Sequence, residues 1–313
     1  MYGLKESLES QRSGAYLLGP PTRTAAPGYW VCAAALAKKG NHNLLDLHLQ
    51  GDYLDYARAI RMEEALGQLD SYPRQRRNNG KNYNPLVVLA SSYEIDRATS
   101  DIGDCIDNCS SGLLAQSNFV AELKSVVGDL HDNVWSHGNS TGISMAQYWS
   151  RTGNIEFALA DCGLGLLGEL RRSGFANKCG ITNDADAIAW CIEEGNSTKK
   201  YKSDGWEQSI PEDSSGNPMP GVETAFRGDG NHHMGIGLAK LVKLVKDYSG
   251  QLWLASGNSL LTINGLGNPR FDEIQEWNGV AISCRFNFNN IAKVRRQDDD
   301  IDWALEKLVR GES

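Results

Sequence analysis

The sequence predicts an α/β protein, and three observations carry that expectation. Between residues 43 and 110, runs with strand-like alternation are each followed by runs with helical spacing. Phe119, Leu123, Val126, Val127, Leu130 and Val134 recur at the spacing of one buried helix face. After residue 234, a glycine-opened amphipathic run leads into three β-rich runs. Helices packed against a sheet require this kind of alternation. The chain has 313 residues, of which 41% are apolar, enough for a sizeable core and slightly more than one average domain.

The elements follow in order. Residues 1–28 include GPPTRTAAPG, too rich in proline, glycine and threonine for a regular element. YWVCAAALAKKG reads as a short helix. NLLDLHL, residues 43–49, alternates as a strand, and YLDYARAIRMEEALGQL continues as a helix. The polar SYPRQRRNNGKNYN reads as a loop whose four basic residues form a solvated surface. PLVVLAS reads as a second strand, followed by a helix around 92–109. Residues 1–115 thus read as a small N-terminal α/β domain without a nucleotide motif. A helix starts near Ser117 or Asn118 and carries the apolar stripe. NIEFALADCGLG gives a strand ending in an acidic, glycine-punctuated turn, and NDADAIAWCIEEG a helix capped by Asn183 or Asp184. From Asn196 to His233 the chain is polar and turn-rich, a length that inside a compact domain points to function. MGIGLAKLVKLVKDYSG then opens a helix, and QLWLAS, SLLTI and GVAISCRFNF read as strands. The tail, 293–313, places an acidic run before a short amphipathic helix, where negative charge suits the helix N-terminus.

Composition narrows the function classes. With 31 basic and 39 acidic residues the net charge is -8, which offers no electrostatic footprint for nucleic acid or an anionic membrane. No run reaches membrane-spanning length, and the polar start MYGLKESLESQRSG lacks the order of a signal peptide. Seven scattered cysteines in settings such as AWCIEE and AISCRF read as reduced, buried residues of a cytoplasmic protein. Cys105 and Cys109 share a helix face at i,i+4, but no second pair of soft ligands follows. The six histidines form no zinc pattern.

Four small constellations carry the chemistry. Asp129 and Asn133, in GDLHDNVWSH, lie one helical turn apart, so a carboxylate and an amide project together. An amide oxygen suits a hard cation such as Mg2+, and the carboxylate suits a water that attacks a phosphoryl group. Two ordinary helix-surface residues would look the same. In ADCGLG, Asp161 follows an apolar strand, and Gly163 and Gly165 allow a tight turn. A buried carboxylate there needs a donor, and an adenine amine is one; an ordinary turn is the alternative. Lys199 and Lys200 suit phosphates, although a lysine pair in a loop is commonly just solvated. In GIGLAKLVKLV, Gly235 and Gly237 allow close approach to a helix N-terminus, an anion site, while Rossmann and P-loop spacings both fail.

Taken in order, these four stretches resemble the GHKL ATPase superfamily over residues 116–290. That superfamily includes type II topoisomerases, heat-shock chaperone ATPases, MutL proteins and sensor histidine kinases. The resemblance implies a two-layer α/β sandwich of the Bergerat, or histidine kinase-like ATPase, type over 116–292, preceded by the small α/β domain. It further implies ATP and Mg2+ as ligands. Asn133 matches the asparagine that coordinates Mg2+, and Asp161 the carboxylate that binds the adenine amine. Gly163 and Gly165 would shape the adenine pocket, Gly235 and Gly237 would lie at the phosphates, and about 196–233, with Lys199, would form the lid. Asp129 stands where the chaperone, gyrase and MutL branches carry a glutamate general base, so DLHDN keeps that layout with a side chain one methylene shorter. The threonine that the family often places on the last strand is missing from GVAISCRF.

The resemblance thus implies a slowly hydrolysing ATPase that switches a protein partner, with Asp129 as base. A protein serine or histidine kinase of anti-sigma or sensor type is the first alternative, although no phosphoacceptor helix pair precedes the domain. A non-catalytic nucleotide sensor is the second. The N-terminal domain would recognise the partner or serve self-association.

Overall fold

The computed structural model describes residues 1–10, 18–21, 23–110, 112, 114, 117–134, 141–194, 196, 237–265 and 267–293. At its centre is one five-stranded sheet of β1 (Tyr83–Leu89), β2 (Gly142–Trp149), β3 (Asn154–Asp161), β4 (Gln251–Asn264) and β5 (Arg270–Asn287). The strand order is β1-β2-β3-β5-β4, and every neighbouring pair is antiparallel. Residues 154–160 and the final strands therefore share one sheet. QLWLAS and SLLTI are not two strands but halves of β4, joined across a register irregularity at Ser256–Ser259. Strand β2 escapes the sequence reading because Gly142, Ser144 and Ala146 leave little apolar alternation.

The helices on this frame include α1 (Leu4–Glu9), α2 (Pro27–Lys39), α3 (Asp52–Ala59), α4 (Met62–Ala65), α5 (Ser92–Ser110), α6 (Asn118–Asn133), α7 (Gly165–Arg172), α8 (Phe175–Cys179), α9 (Asp184–Ile192) and α10 (Gly237–Asp247), and residues 288–293 are helical after β5. Capping explains several boundaries. Pro27 suits the first turn of α2, the Ser117 hydroxyl accepts from Phe119 N at the start of α6, and the Asn183 amide oxygen accepts from Asp186 N at the start of α9.

The sheet buries both faces, so the described residues form three layers rather than the expected two. On β3, Ile155, Phe157 and Leu159 enter a core with α5, α6 and α10, whereas Ala158 and Ala160 face the opposite way, into a core with α1 and α2. Small residues on that second face, met by Ala33, Ala34 and Ala37 of α2, let the helix lie close to the strands. A buried charge sits between them. The Glu156 carboxylate accepts from Gly28 N (3.0 Å), Ser283 Oγ (2.8 Å) and Arg285 Nε and Nη2 (2.9 and 2.6 Å). Arg285 in turn lies over the Trp253 ring, 5.3 Å from its centroid.

The N-terminal segment consequently builds no sheet of its own among the described residues: its one strand, β1, joins β2, and its helices cover the common sheet. NLLDLHL is a 3₁₀ turn at Leu44–Leu47, not a strand. The Asn43 side chain accepts from Leu45 N, Asp46 accepts from Asn43 N, and His48 ends the turn in the left-handed region. The helix expected over 53–69 splits into α3 and α4 at Arg61, whose φ is +64°. Arg76 is not merely solvated. It makes two bonds to Asp70, holding that carboxyl well below its usual range at about 2, and donates to the carbonyls of Arg58 and Ala59. Cys105 and Cys109 do share a face of α5, with sulfurs 4.0 Å apart. The helical tail expected at 293–313 lies outside the described residues except for Lys293.

Candidate functional site

The site forms where α6 ends, β3 ends and α10 begins. Leu123, Val127 and Leu130 anchor α6 to the sheet, and this fixes the direction of its last turn. Asn133, the final residue of that helix, lines a pocket of about 110 Å3 together with Asp161 and Gly165. Most of the wall is apolar, with Leu130 from α6, Leu159 from β3, Leu166 from α7, Trp190 from α9, Leu238 from α10 and Ile282 from β5, while Glu169 of α7 and Asn196 add two more polar groups. An apolar slot with a few convergent polar groups is the general form of a small-ligand site.

Asp161 is 5% exposed at the end of β3. Its Oδ1 accepts from Gly163 N at 2.7 Å, and its main-chain oxygen accepts from Trp277 Nε1 at 3.1 Å. Gly163 therefore acts by orienting the carboxylate rather than as a wall. Gly165 has φ +69°, a conformation that starts α7 directly after the strand. A residue missed by the sequence reading completes the turn. Gly279 has φ +110°, and a Cβ there would overlap the Asp161 carbonyl oxygen and come within 2.7 Å of Asp161 Oδ1. Ser256 Oγ bridges the same corner, accepting from Leu166 N (2.9 Å) and donating to the Gly279 carbonyl (3.0 Å). The Asn278-Gly279 dipeptide carries the one sequence signal, a turn inside a β-rich run.

The other half of the site is the contact of α6 with α10. A Cβ at Gly237 would lie 3.0 Å from Asp129 Cβ and 3.3 Å from Asn133 Nδ2, so a larger residue would push the helices apart. Asp129 is 3% exposed beneath this contact, and its Oδ2 pairs with Lys240 Nζ at 2.8 Å. Lys240 was not singled out from the sequence, where it reads as one of several lysines on an amphipathic helix. Asp129 and Asn133 are thus held together against α10, whereas the pocket wall includes Asn133 and not Asp129. Lys199 and Gly235 lie outside the described residues, as do Lys200 and the expected lid from residue 197 onward.

Strand β5 and helix α9 bring further residues to the pocket. Val280 and Ile282 are the contribution of β5, while Ser283 turns to the other face and bonds to Glu156, so this strand presents only apolar groups to the pocket. Cys191 also lines it, and burial pushes its thiol up to about 12, which keeps it protonated and unreactive. No group of three His, Cys, Asp or Glu side chains able to hold a metal exists among the described residues, and no helix among them is long and apolar enough to cross a membrane. Comparison with protein-family models, with curated proteins and with solved structures finds no match to this chain.

Proposed function

We propose that this chain is an ATP-binding, slowly hydrolysing, Mg2+-dependent ATPase that acts as a conformational switch for a protein partner. One observation carries the reading: Asn133 lines one largely apolar pocket with Asp161 and Gly165 of a separate motif, while Gly237 abuts Asp129 and Asn133. The apolar walls suit a flat base, and the Asp161 carboxylate suits its exocyclic amine. The Asn133 amide oxygen fits Mg2+, which takes few protein ligands when phosphate oxygens supply the rest. Bound there, the cation would neutralise charge developing on the transferred phosphoryl group.

The protein's own contribution to hydrolysis would be a base. Asp129 would accept a proton from water as its oxygen bonds to the γ-phosphorus and the β,γ-bridging bond breaks, releasing ADP and phosphate. Its short side chain supports the expectation of slow turnover, since small displacements of a catalytic group cost orders of magnitude. Nucleotide occupancy would then alter the surface offered to a partner.

The test is incubation with γ-labelled ATP and Mg2+, with free phosphate resolved from labelled protein and nucleotide binding followed in parallel. Phosphate release should be lost in Asp129→Ala with binding kept, whereas Asn133→Ala should lose Mg2+-dependent binding. Label on protein would replace this reading with a kinase, binding without turnover would replace it with a sensor, and absence of binding would end it.

A further inference from the structure

A groove of about 690 Å3 runs along the outer edge of the sheet, on the side of β1 away from β2. One wall is a single face of α5, where Glu94, Arg97, Asp101 and Asp104 recur three or four residues apart. The other wall includes Arg61 and Lys81, and residues 84–88 of β1 form the floor. Among the described residues, Leu86 N donates across this edge to the Ile60 carbonyl (3.0 Å), while the half-buried Val87 and Val88 make no backbone bond beyond the sheet. Asn84 is 4% exposed, and its Nδ2 reaches no further than the neighbouring Pro85 carbonyl, at 3.3 Å. A strand edge with a helix beside it is a form that accepts an extended chain as an added strand.

The chain after β5 comes to one mouth of this groove. There Asn108 Nδ2 donates to the Gly80 carbonyl (2.8 Å), and Tyr148 N to the Asn82 carbonyl (2.7 Å). Phe288, at the start of the helical stretch 288–293, stacks on the Tyr148 ring with centroids 5.2 Å apart, which brings Lys293 to the same end of the sheet. The next residues are VRRQDDD, 294–300. From this mouth the charges along α5 run Asp104, Asp101, Arg97, and those along the segment run Arg295, Arg296, then Asp298 to Asp300. The spacings agree. Asp104 and Arg97 stand about 10 Å apart at the helical rise, and Arg296 and Asp299 about 10 Å apart in extended chain. Asp104 forms no ion pair among the described residues. Arg97 and Asp101 are 3.7 Å apart with side chains 65% and 45% exposed, a pairing too weak to keep either from a better partner.

We propose that residues 294–300 lie extended in this groove as an intramolecular ligand, with Arg295 and Arg296 against Asp104 and Asp101 and the aspartates against Arg97. A partner strand then reaches β1 only by displacing them. Lys81, on the other wall at the mouth, has the wrong sign for the two arginines and supplies a test of the arrangement. The proposal stands apart from the ATPase reading.

The experiment follows amide hydrogen exchange at Arg295, Arg296 and Gln297 in the full chain by NMR, with a free peptide of residues 293–300 as reference and thermal unfolding of each variant. In wild type these amides should exchange about tenfold or more slowly than in the peptide, at every protein concentration. Asp101→Lys combined with Asp104→Lys should return them to peptide rates. Adding Arg295→Glu and Arg296→Glu should restore the protection, and Lys81→Glu alone should strengthen it. Peptide rates in wild type, protection indifferent to the reversal, or reversal without rescue overturns the proposal. Protection that disappears on dilution also overturns it, since the groove would then hold the segment of a second copy. Should the reversed variants fail to fold, wild type at low and high salt decides: protection lost at high salt supports the docking, and protection indifferent to salt overturns it.

Discussion

His131 lies inside the stretch that carries Asp129 and Asn133, yet it turns to the other side of α6. It is fully buried. Ser144 Oγ donates to the Ala158 carbonyl (3.3 Å), which leaves that oxygen to accept from His131 Nε2–H (2.9 Å), while Nδ1 accepts from the Thr99 hydroxyl (2.8 Å). This bonding assigns a neutral imidazole, and burial lowers its pKa to about 3 from an ordinary 6.5. The unfolded chain binds a proton below about 6.5 that the folded one refuses until about 3, so stability falls as pH drops through that window. The slope from this residue approaches about 1.4 kcal/mol per pH unit. His131→Gln should be less stable than wild type at pH 7 and lose less on acidification. Urea unfolding from pH 7 to 4.5 checks this, and parallel curves for the two proteins would count against the buried neutral ring. The sequence shows no metal pattern for this histidine and gives it no role; its partners Thr99 and Ser144, on α5 and β2, show that it fastens the helix.

Among elements, the join between α2 and the sheet is the most exacting. Glu156 connects the first turn of α2, through Gly28 N, to Ser283 and Arg285 of β5. Removing the carboxylate would leave Arg285 without the partner of its buried end and α2 without its anchor. Glu156→Ala should therefore cost about 3–5 kcal/mol, and Glu156→Gln distinctly less because the amide oxygen still accepts. Denaturant titration of both variants measures the difference; a loss under about 1 kcal/mol in Glu156→Ala would show that α2 is held by apolar contact alone. Elements with strong periodicity are legible in the sequence: α2, α5, α6, α9, α10 and the ends of β3 and β5. Those set by distant contacts are not. β2 carries small and polar residues, and α7 and α8 are short and interrupted by Gly174. At the site, Asn133, Asp161 and Gly165 stand in readable motifs, whereas Lys240, Ser256 and Gly279 acquire meaning only from what they touch. NLLDLHL misleads because its alternating leucines satisfy a 3₁₀ turn as well as a strand, and Asn43 decides between them.

At the scale of the whole molecule, the N-terminal region and the site-bearing region share a sheet and a core. β1 pairs with β2, and α2 covers β2, β3 and β5 through Trp30, Ala33, Ala34 and Ala37. Residues 116–292 expressed alone would present β2 as an unpaired edge and leave that face of the sheet uncovered. This fragment should aggregate or bind a hydrophobic dye, whereas the full chain should unfold without a separate transition for residues 1–115. Two resolved calorimetric transitions in the full chain, or a soluble, cooperatively folded fragment, would contradict the shared core. A displacement of the N-terminal region therefore has a mechanical route to the pocket, through α2 and β3.

The strand order also sets a schedule for synthesis. β3 ends at Asp161, but the strand that lies beside it, β5, begins at Arg270, after α7, α8, α9, α10 and β4 have all been made. Until β5 leaves the ribosome, β3 has an open edge, the Asp161 turn lacks Gly279, and the pocket lacks Val280 and Ile282. A nascent chain then carries a nearly complete set of site motifs and no site. Under the proposed function, nucleotide would bind only the finished molecule and act as a late quality check, while the unpaired β3 edge makes the preceding interval the one in which a chaperone would be needed most.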